Sequence, residues 1–254
     1  MKKFQIIIFI IISVFAFIGF REYNNSFEED SNNFYSMQKK CIFDNTDEIC
    51  MKVYESKMPV KLDAYSLTVY VITQTSFRYL TILIPFLIMM IGIKKLNKNK
   101  LKKELLNVWK KGLILPAIIV FMFLISILVS NNFNYTNTIK SNIQIIPNEF
   151  YSVYFIIVYL SVLLLRSIYW LNLGLICFKF SKNKYIASFM GYILFFILAL
   201  IGETVPGNYF GFDGIWSYNN ISSLALMIIS NLLLVGITTF IIYKQYQGKT
   251  KKAL

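Results

Sequence analysis

Two arginines interrupt long apolar runs of the sequence, where a charge needs a specific partner. Arg78 lies in the run at 67–93, and Arg166 lies near the middle of the run at 151–178. A central arginine costs about 2.5 to 3.5 kcal/mol in a membrane-spanning helix, so each is expected to face other helices, a wet cavity or a partner subunit. Glu203, Glu149 and Asp213, all placed near the outer face, are candidate counter-charges. Snorkelling to the headgroups is an alternative for Arg78.

Two cysteines lie close together in a polar, acidic segment at 21–65. Cys41 and Cys50 would close a short loop, and a disulfide of this kind is worth on the order of 2 to 3 kcal/mol. An oxidising exterior would permit the bond. The alternative is a pair of unbonded thiols in a mobile loop, so the sequence leaves both states open.

A lysine-rich segment at 94–112 has the pattern of a short amphipathic helix. The apolar residues Leu101, Leu105, Val108 and Trp109 recur at helical spacing, with lysines on the opposite face. Such a helix can lie along anionic headgroups. It can also dock into a groove of a soluble partner.

The sequence supplies no group of residues that predicts catalysis. It contains no histidine, which removes the usual general base of serine hydrolases and the ligands of HExxH metalloproteases. The apolar runs hold no pair of carboxylates. The triplet at 248–250 ends like a phosphate-binding loop, but Tyr243 stands where that motif needs glycine. We therefore expect no enzyme activity and no cofactor bound by this chain.

The elements that must position these residues are apolar runs near the roughly 20 residues that cross a bilayer. A hydrophobic content of 56% and a charged content of 15% agree with a polytopic membrane protein. The predicted fold is all-α, with residues 1–254 forming a single transmembrane domain. Its six predicted spans are 4–20, 67–93, 113–129, 151–178, 186–202 and 221–243, with an outer loop at 21–65.

The distribution of charge predicts an orientation for these spans. Seventeen lysines and arginines fall in connections on one side and seven on the other, while twelve of the thirteen acidic residues fall on the second side. The positive-inside tendency then places both termini in the cytoplasm of a multi-pass cell-membrane protein. Topology explains the net charge of +13 better than nucleic-acid binding does. Bulky residues at the end of the first run favour an uncleaved anchor over a secretory signal.

The whole layout resembles the permeases of ABC-2-type transporters. The features that carry this resemblance are six spans, both ends inside, a basic amphipathic segment after the second span, and a turn rich in glycine and aromatic residues at 203–218. The resemblance implies a second permease copy or a sister permease, and a separate subunit that binds ATP and Mg²⁺. It also implies that Leu101–Trp109 is the segment that couples to this ATPase. Small permeases of peptide-toxin export or antimicrobial-peptide immunity are the nearest analogy.

The expected function is therefore that of a permease subunit in an ATP-driven exporter of peptides or other amphipathic substrates. Arg78, Arg166 and Glu203 would contact cargo or pair subunits. The alternative is an immunity or accessory protein that does not transport and that captures a peptide through its outer loop. An ion-coupled carrier is less favoured, because the acidic residues lie in the connections.

Overall fold

The computed structural model describes residues 2–44, 50, 59, 61–130, 151–203 and 221–247, and the secondary structure of this part of the chain is helical, without strands. The predicted all-α fold is confirmed for these residues. Short 3₁₀ turns at Lys98–Lys100 and Lys110–Leu113 flank the α-helix Leu101–Trp109. In chain order the described helices are α1 Lys2–Asp44, α2 Ala64–Gln74, α3 Phe77–Gly92, α4 Leu101–Trp109, α5 Ile114–Ser130, α6 Tyr151–Ser181, α7 Lys184–Glu203 and α8 Ile221–Gln247.

Three helical stretches of the described chain are long and apolar enough to cross a membrane. They are Lys98–Ser130, Leu160–Ser181 and Leu226–Tyr246. Apolar stretches in α3 and α7 are shorter. The outer surface of the bundle is also apolar, because residues such as Phe17, Leu128, Leu233 and Phe240 are 60% to 76% exposed. A surface of this kind is unfavourable in water and suited to hydrocarbon.

Helix α6 lies at the centre of the packing. It contacts α3, α5, α7 and α8, and its residues Leu163, Trp170 and Leu171 have no exposed surface. Trp170 packs edge-on against Phe195 of α7, with ring centroids 5.6 Å apart. A movement of α6 would therefore disturb most of the bundle.

Glycines allow α6 and α7 to approach each other closely. A Cβ atom added at Gly191 would lie 3.1 Å from the Cα atom of Gly174 and 2.9 Å from the Sδ atom of Met89. Small residues at such crossings allow helix backbones to pack directly against each other. The methionine side chain can move, but the backbone at Gly174 can do so only if the helices separate.

We expect Gly191→Val to destabilise the bundle by about 1 to 3 kcal/mol through overpacking at this crossing. Unfolding in mixed micelles would measure the change. Gly236→Val in α8 is the matched control, since a Cβ atom there meets nothing within 4 Å. Equal losses in both variants would show that valine acts through helix propensity and not through the crossing.

Helix α1 is longer than the sequence suggested. The first predicted span ends at Phe20, but the helix continues to Asp44, so the first part of the predicted outer loop is helical. The segment 21–44 contains no glycine or proline that would break a helix. The polar residues of this segment favour a polar environment, but they do not end the helix. At 1.5 Å per residue, α1 is about 65 Å long.

The second predicted span, 67–93, is not one helix. Its chain forms α2 and α3, with a break at Thr75 and Ser76. The apolar run did not predict this break, because hydrophobicity alone does not indicate where the backbone hydrogen bonds of a helix are interrupted. The predicted turn at 203–218 lies outside the described residues beyond Glu203, as does the triplet at 248–250.

Candidate functional site

Helix α4 packs its apolar face onto the bundle. Leu101, Leu105 and Val108 are buried, and Trp109 is half-buried. Helix α4 has only nine residues, so it depends on this packing for its stability. These side chains, predicted as a coupling surface, are thus the side of α4 that joins it to the other helices.

A chain of hydrogen bonds connects α4 to α6 and α8. The indole Nε1–H of Trp109 donates to Oδ1 of Asn172 over 2.9 Å. The Nδ2 group of Asn172, which is fully buried in α6, lies 3.1 Å from the hydroxyl oxygens of both Thr238 and Thr239 in α8. We call these four residues the polar link. It ties three helices together through one amide group.

Two further contacts fasten the end of α4 to the bundle. The Lys111 ammonium donates to the carbonyl oxygen of Ile91 over 3.0 Å, near the end of α3. Gly112 packs closely on α6, since a Cβ atom there would lie 3.1 Å from the Cβ atom of Ser167. Helix α4 is therefore attached to α3, α6 and α8.

The opposite face of α4 is exposed. Leu106 is 51% exposed and lies among polar and basic neighbours. Glu104 turns back towards the chain before α4, where its Oε2 atom accepts from the Asn97 amide over 2.8 Å and lies 3.7 Å from the Lys94 ammonium. The face left open to a partner consists of Lys102, Lys103, Leu106, Asn107 and Lys110.

The three charges predicted for cargo or subunit pairing have different placements. Arg166 is only 2% exposed, so it faces the interior of its own chain. This placement fits the expectation that it faces other helices. Arg78 lies in the first turn of α3 and Glu203 is the last residue of α7, but their side chains lie outside the described atoms.

Sequence reasoning missed a carboxylate at the helix break. Glu22 of α1 accepts hydrogen bonds from both the backbone amide and the hydroxyl of Ser76, the amide lying 2.7 Å from Oε2. Ser76 stands at the N-terminus of α3, where amides lack helical partners and the helix dipole favours a negative charge. Glu22 thus caps α3 from another helix. Its position in the polar segment after the first apolar run gave no sign of this role.

The residues around Glu22 hold α1 against the same part of the chain. The Tyr23 hydroxyl accepts from the Leu62 amide over 2.9 Å, just before α2. A Cβ atom added at Gly19 would lie 2.6 Å from Oγ1 of Thr75, so a larger residue there would force the Thr75 side chain to shift. Asp63, also missed from the sequence, is fully buried and caps α2 through the Ser66 amide and hydroxyl.

The two cysteines near the end of α1 form a disulfide in the structure. The sulfur atoms of Cys41 and Cys50 are 1.96 Å apart, and the Cα atoms are 4.9 Å apart. The bond closes the chain immediately after α1. Cys177 is a buried free thiol in α6, where an unbonded cysteine acts as a small apolar packing residue.

Comparison with known proteins adds no relative to these observations. No family model, curated protein or solved structure matches this chain. Among the described residues, no group of histidine, cysteine, aspartate or glutamate side chains could hold a metal ion. Function must therefore be argued from the polar link, the exposed face of α4, the helix break and the distribution of charge.

Proposed function

We propose that this chain is the membrane subunit of an ATP-driven exporter and works with a separate ATP-binding subunit. In this proposal the chain crosses the cell membrane six times with both termini in the cytoplasm. Helix α4 then lies at the cytoplasmic surface, and a second permease copy or a sister permease completes the pathway. The substrates are peptides or other amphipathic molecules, and ATP and Mg²⁺ bind to the partner.

The observation that carries the proposal is the two-sided character of α4. One face is packed on the bundle and joined by the polar link to α6 and α8, while the other face presents Leu106 among exposed lysines. A coupling element needs both properties, since it must bind a soluble partner and pass movement into the helices. A helix that only rested on lipid headgroups would not need a buried hydrogen bond to the core.

The mechanism follows from these contacts. Closure of the partner's nucleotide-binding domains would push α4, and Trp109 would transmit the displacement to Asn172. Because Asn172 lies on the central helix and also bonds to α8, both helices would shift together. Access to a cavity would then change between the cytoplasmic or lateral side and the outside. Arg166 would reach cargo only when the bundle opens, because it is buried in the present arrangement.

The exposed face of α4 gives a direct test. We expect Leu106→Asn to weaken binding of the ATPase subunit by about tenfold or more, equivalent to about 1.4 kcal/mol, because it removes an apolar anchor from the contact. The tagged chain would be purified from its native host in mild detergent. Mass spectrometry would quantify the stoichiometric ATPase, and ATP hydrolysis would be assayed in the same sample.

Leu113→Asn is the matched control, since Leu113 is 52% exposed but lies beyond α4. It should leave the recovery of the ATPase unchanged. The proposal fails if the unmodified chain is reproducibly recovered intact without an ATPase. The coupling role of α4 fails if Leu106→Asn and Leu113→Asn retain equal amounts of it.

A second candidate function is supported by the shape of α1. The helix extends for 24 residues beyond Phe20, about 36 Å, and the disulfide fixes its end. Tyr35 and Ile42 are exposed on this extension. An arm of this kind suits an immunity or accessory protein that captures a peptide and needs no ATPase. Recovery of a bound peptide in place of an ATPase would favour this function.

A further inference from the structure

A concave basic cavity lies at the end of the bundle that carries α4. Its volume is about 600 Å³, within the range of ligand-binding cavities. Three parts of the chain that are distant in sequence form it: the segment after α3, the end of α6 with the turn that follows it, and the end of α8. We call it the basic cavity. It is lined by Lys95, Leu96, Lys98, Phe178, Lys179, Lys182 and Tyr246.

The charge of the basic cavity is strongly unbalanced. Its described lining holds four lysines and no acidic side chain. Glu104 is the acidic residue of the neighbouring α4, and it already contacts Lys94 and the Asn97 amide. Four lysines around one cavity suit an anionic ligand.

The positive-inside tendency explains lysines beside a membrane, but it does not explain why they line a cavity. Lys179 is held in place, because its ammonium lies 4.4 Å from the centroid of the Tyr246 ring. Lys182 follows α6 with a positive φ of 57°, and its amide donates to the Phe178 carbonyl over 3.0 Å. This turn directs the chain back into α7. The Lys179 ammonium and the backbone at Lys182 are therefore positioned by the fold and not only by local sequence.

We propose that the basic cavity binds the phosphate headgroup of an anionic phospholipid. Tyrosine favours the membrane interface, and the exposed Phe180 and Tyr185 lie on either side of the turn that forms the cavity. Leu96 and Phe178 supply apolar surface beside the lysines. Basic cavities between helices on the cytoplasmic side suit lipid headgroups. The cytoplasmic placement rests on the proposed topology, whereas binding itself requires neither transport nor an ATPase.

The test is a titration of the purified chain in neutral detergent. Native mass spectrometry would count bound dioctanoyl phosphatidylglycerol, with dioctanoyl phosphatidylcholine and inorganic phosphate as comparison probes. We expect phosphatidylglycerol to bind most tightly. We also expect Lys179→Gln with Lys182→Asn to raise its Kd about tenfold, since each lysine near an anionic lipid contributes substantially to binding. Asparagine at 182 suits the positive φ.

Lys102→Gln with Lys103→Gln is the matched control, because it removes the same charge from the exposed face of α4. It should change the Kd less than twofold. Lys95→Gln with Lys98→Gln alters the other side of the basic cavity and should repeat the tenfold loss, which covers the case in which the first pair fails to fold. Equal losses in the cavity and control variants, or no loss, would overturn the proposal. Inorganic phosphate binding as tightly as the lipid would overturn the lipid assignment in favour of a free phosphate compound.

Discussion

Glu22→Ala is expected to lower the free energy of unfolding by about 2 to 3 kcal/mol. The substitution removes a carboxylate that accepts two hydrogen bonds from Ser76, and bonds to a charged group are worth about 1.5 to 3 kcal/mol each before relaxation. It also leaves the first turn of α3 without its cap. Denaturant titration of the purified protein in mixed micelles would measure the loss.

Two variants make the interpretation of Glu22 specific. Glu22→Gln keeps one carbonyl oxygen as acceptor and should show a smaller loss than alanine. Glu29→Ala changes an exposed carboxylate of the same helix and should stay within about 0.5 kcal/mol of the parent. If Glu22→Ala behaves like Glu29→Ala, then the break between α2 and α3 is held by other contacts.

Asn172→Ala is expected to cause the other large loss, about 2 to 4 kcal/mol. The amide group has no exposed surface and makes three hydrogen bonds to side chains of two other helices. Removing it leaves the indole N–H of the half-buried Trp109 without its acceptor. Buried polar groups without partners cost about 1 to 3 kcal/mol each. The same titration in mixed micelles would record the loss.

Asn231→Ala provides the control for Asn172. Asn231 is also buried, but its Nδ2 group donates to Met227 within the same helix over 2.8 Å. Its loss should cost less, about 1 kcal/mol.

Trp109→Phe then separates stability from coupling, because it removes the indole donor and keeps an aromatic ring. We expect a large fall in substrate-stimulated ATP hydrolysis and only a small fall in the free energy of unfolding. Unchanged stimulation would exclude the polar link as the route of coupling.

The helix break shows why the predicted fold was correct in class and incomplete in detail. The apolar run at 67–93 predicts a buried helix, and most of it is helical. The partner that stabilises its interruption is Glu22, which lies 54 residues before Ser76. No periodicity within the run contains that information, because a hydrogen bond between distant residues depends on how α1 packs against α3.

At the candidate site, helix α4 likewise separates what the sequence predicts from what packing determines. Its spacing of Leu101, Leu105 and Val108 correctly predicts an amphipathic helix, and the structure shows that this apolar face is turned inward. The sequence could not show which face a soluble partner would meet. Periodicity defines two faces of a helix, whereas packing decides what each face touches.

The sequence by itself determined the helical class, the apolar surfaces and the separation of charge, since these depend on local composition and spacing. Tertiary structure alone decided that Arg166 faces the interior, that Asn172 joins three helices and that four lysines line one cavity. The physical reason is that burial and hydrogen bonding between helices depend on distances in space. Those distances are set by the packing of the whole bundle and not by neighbours along the chain.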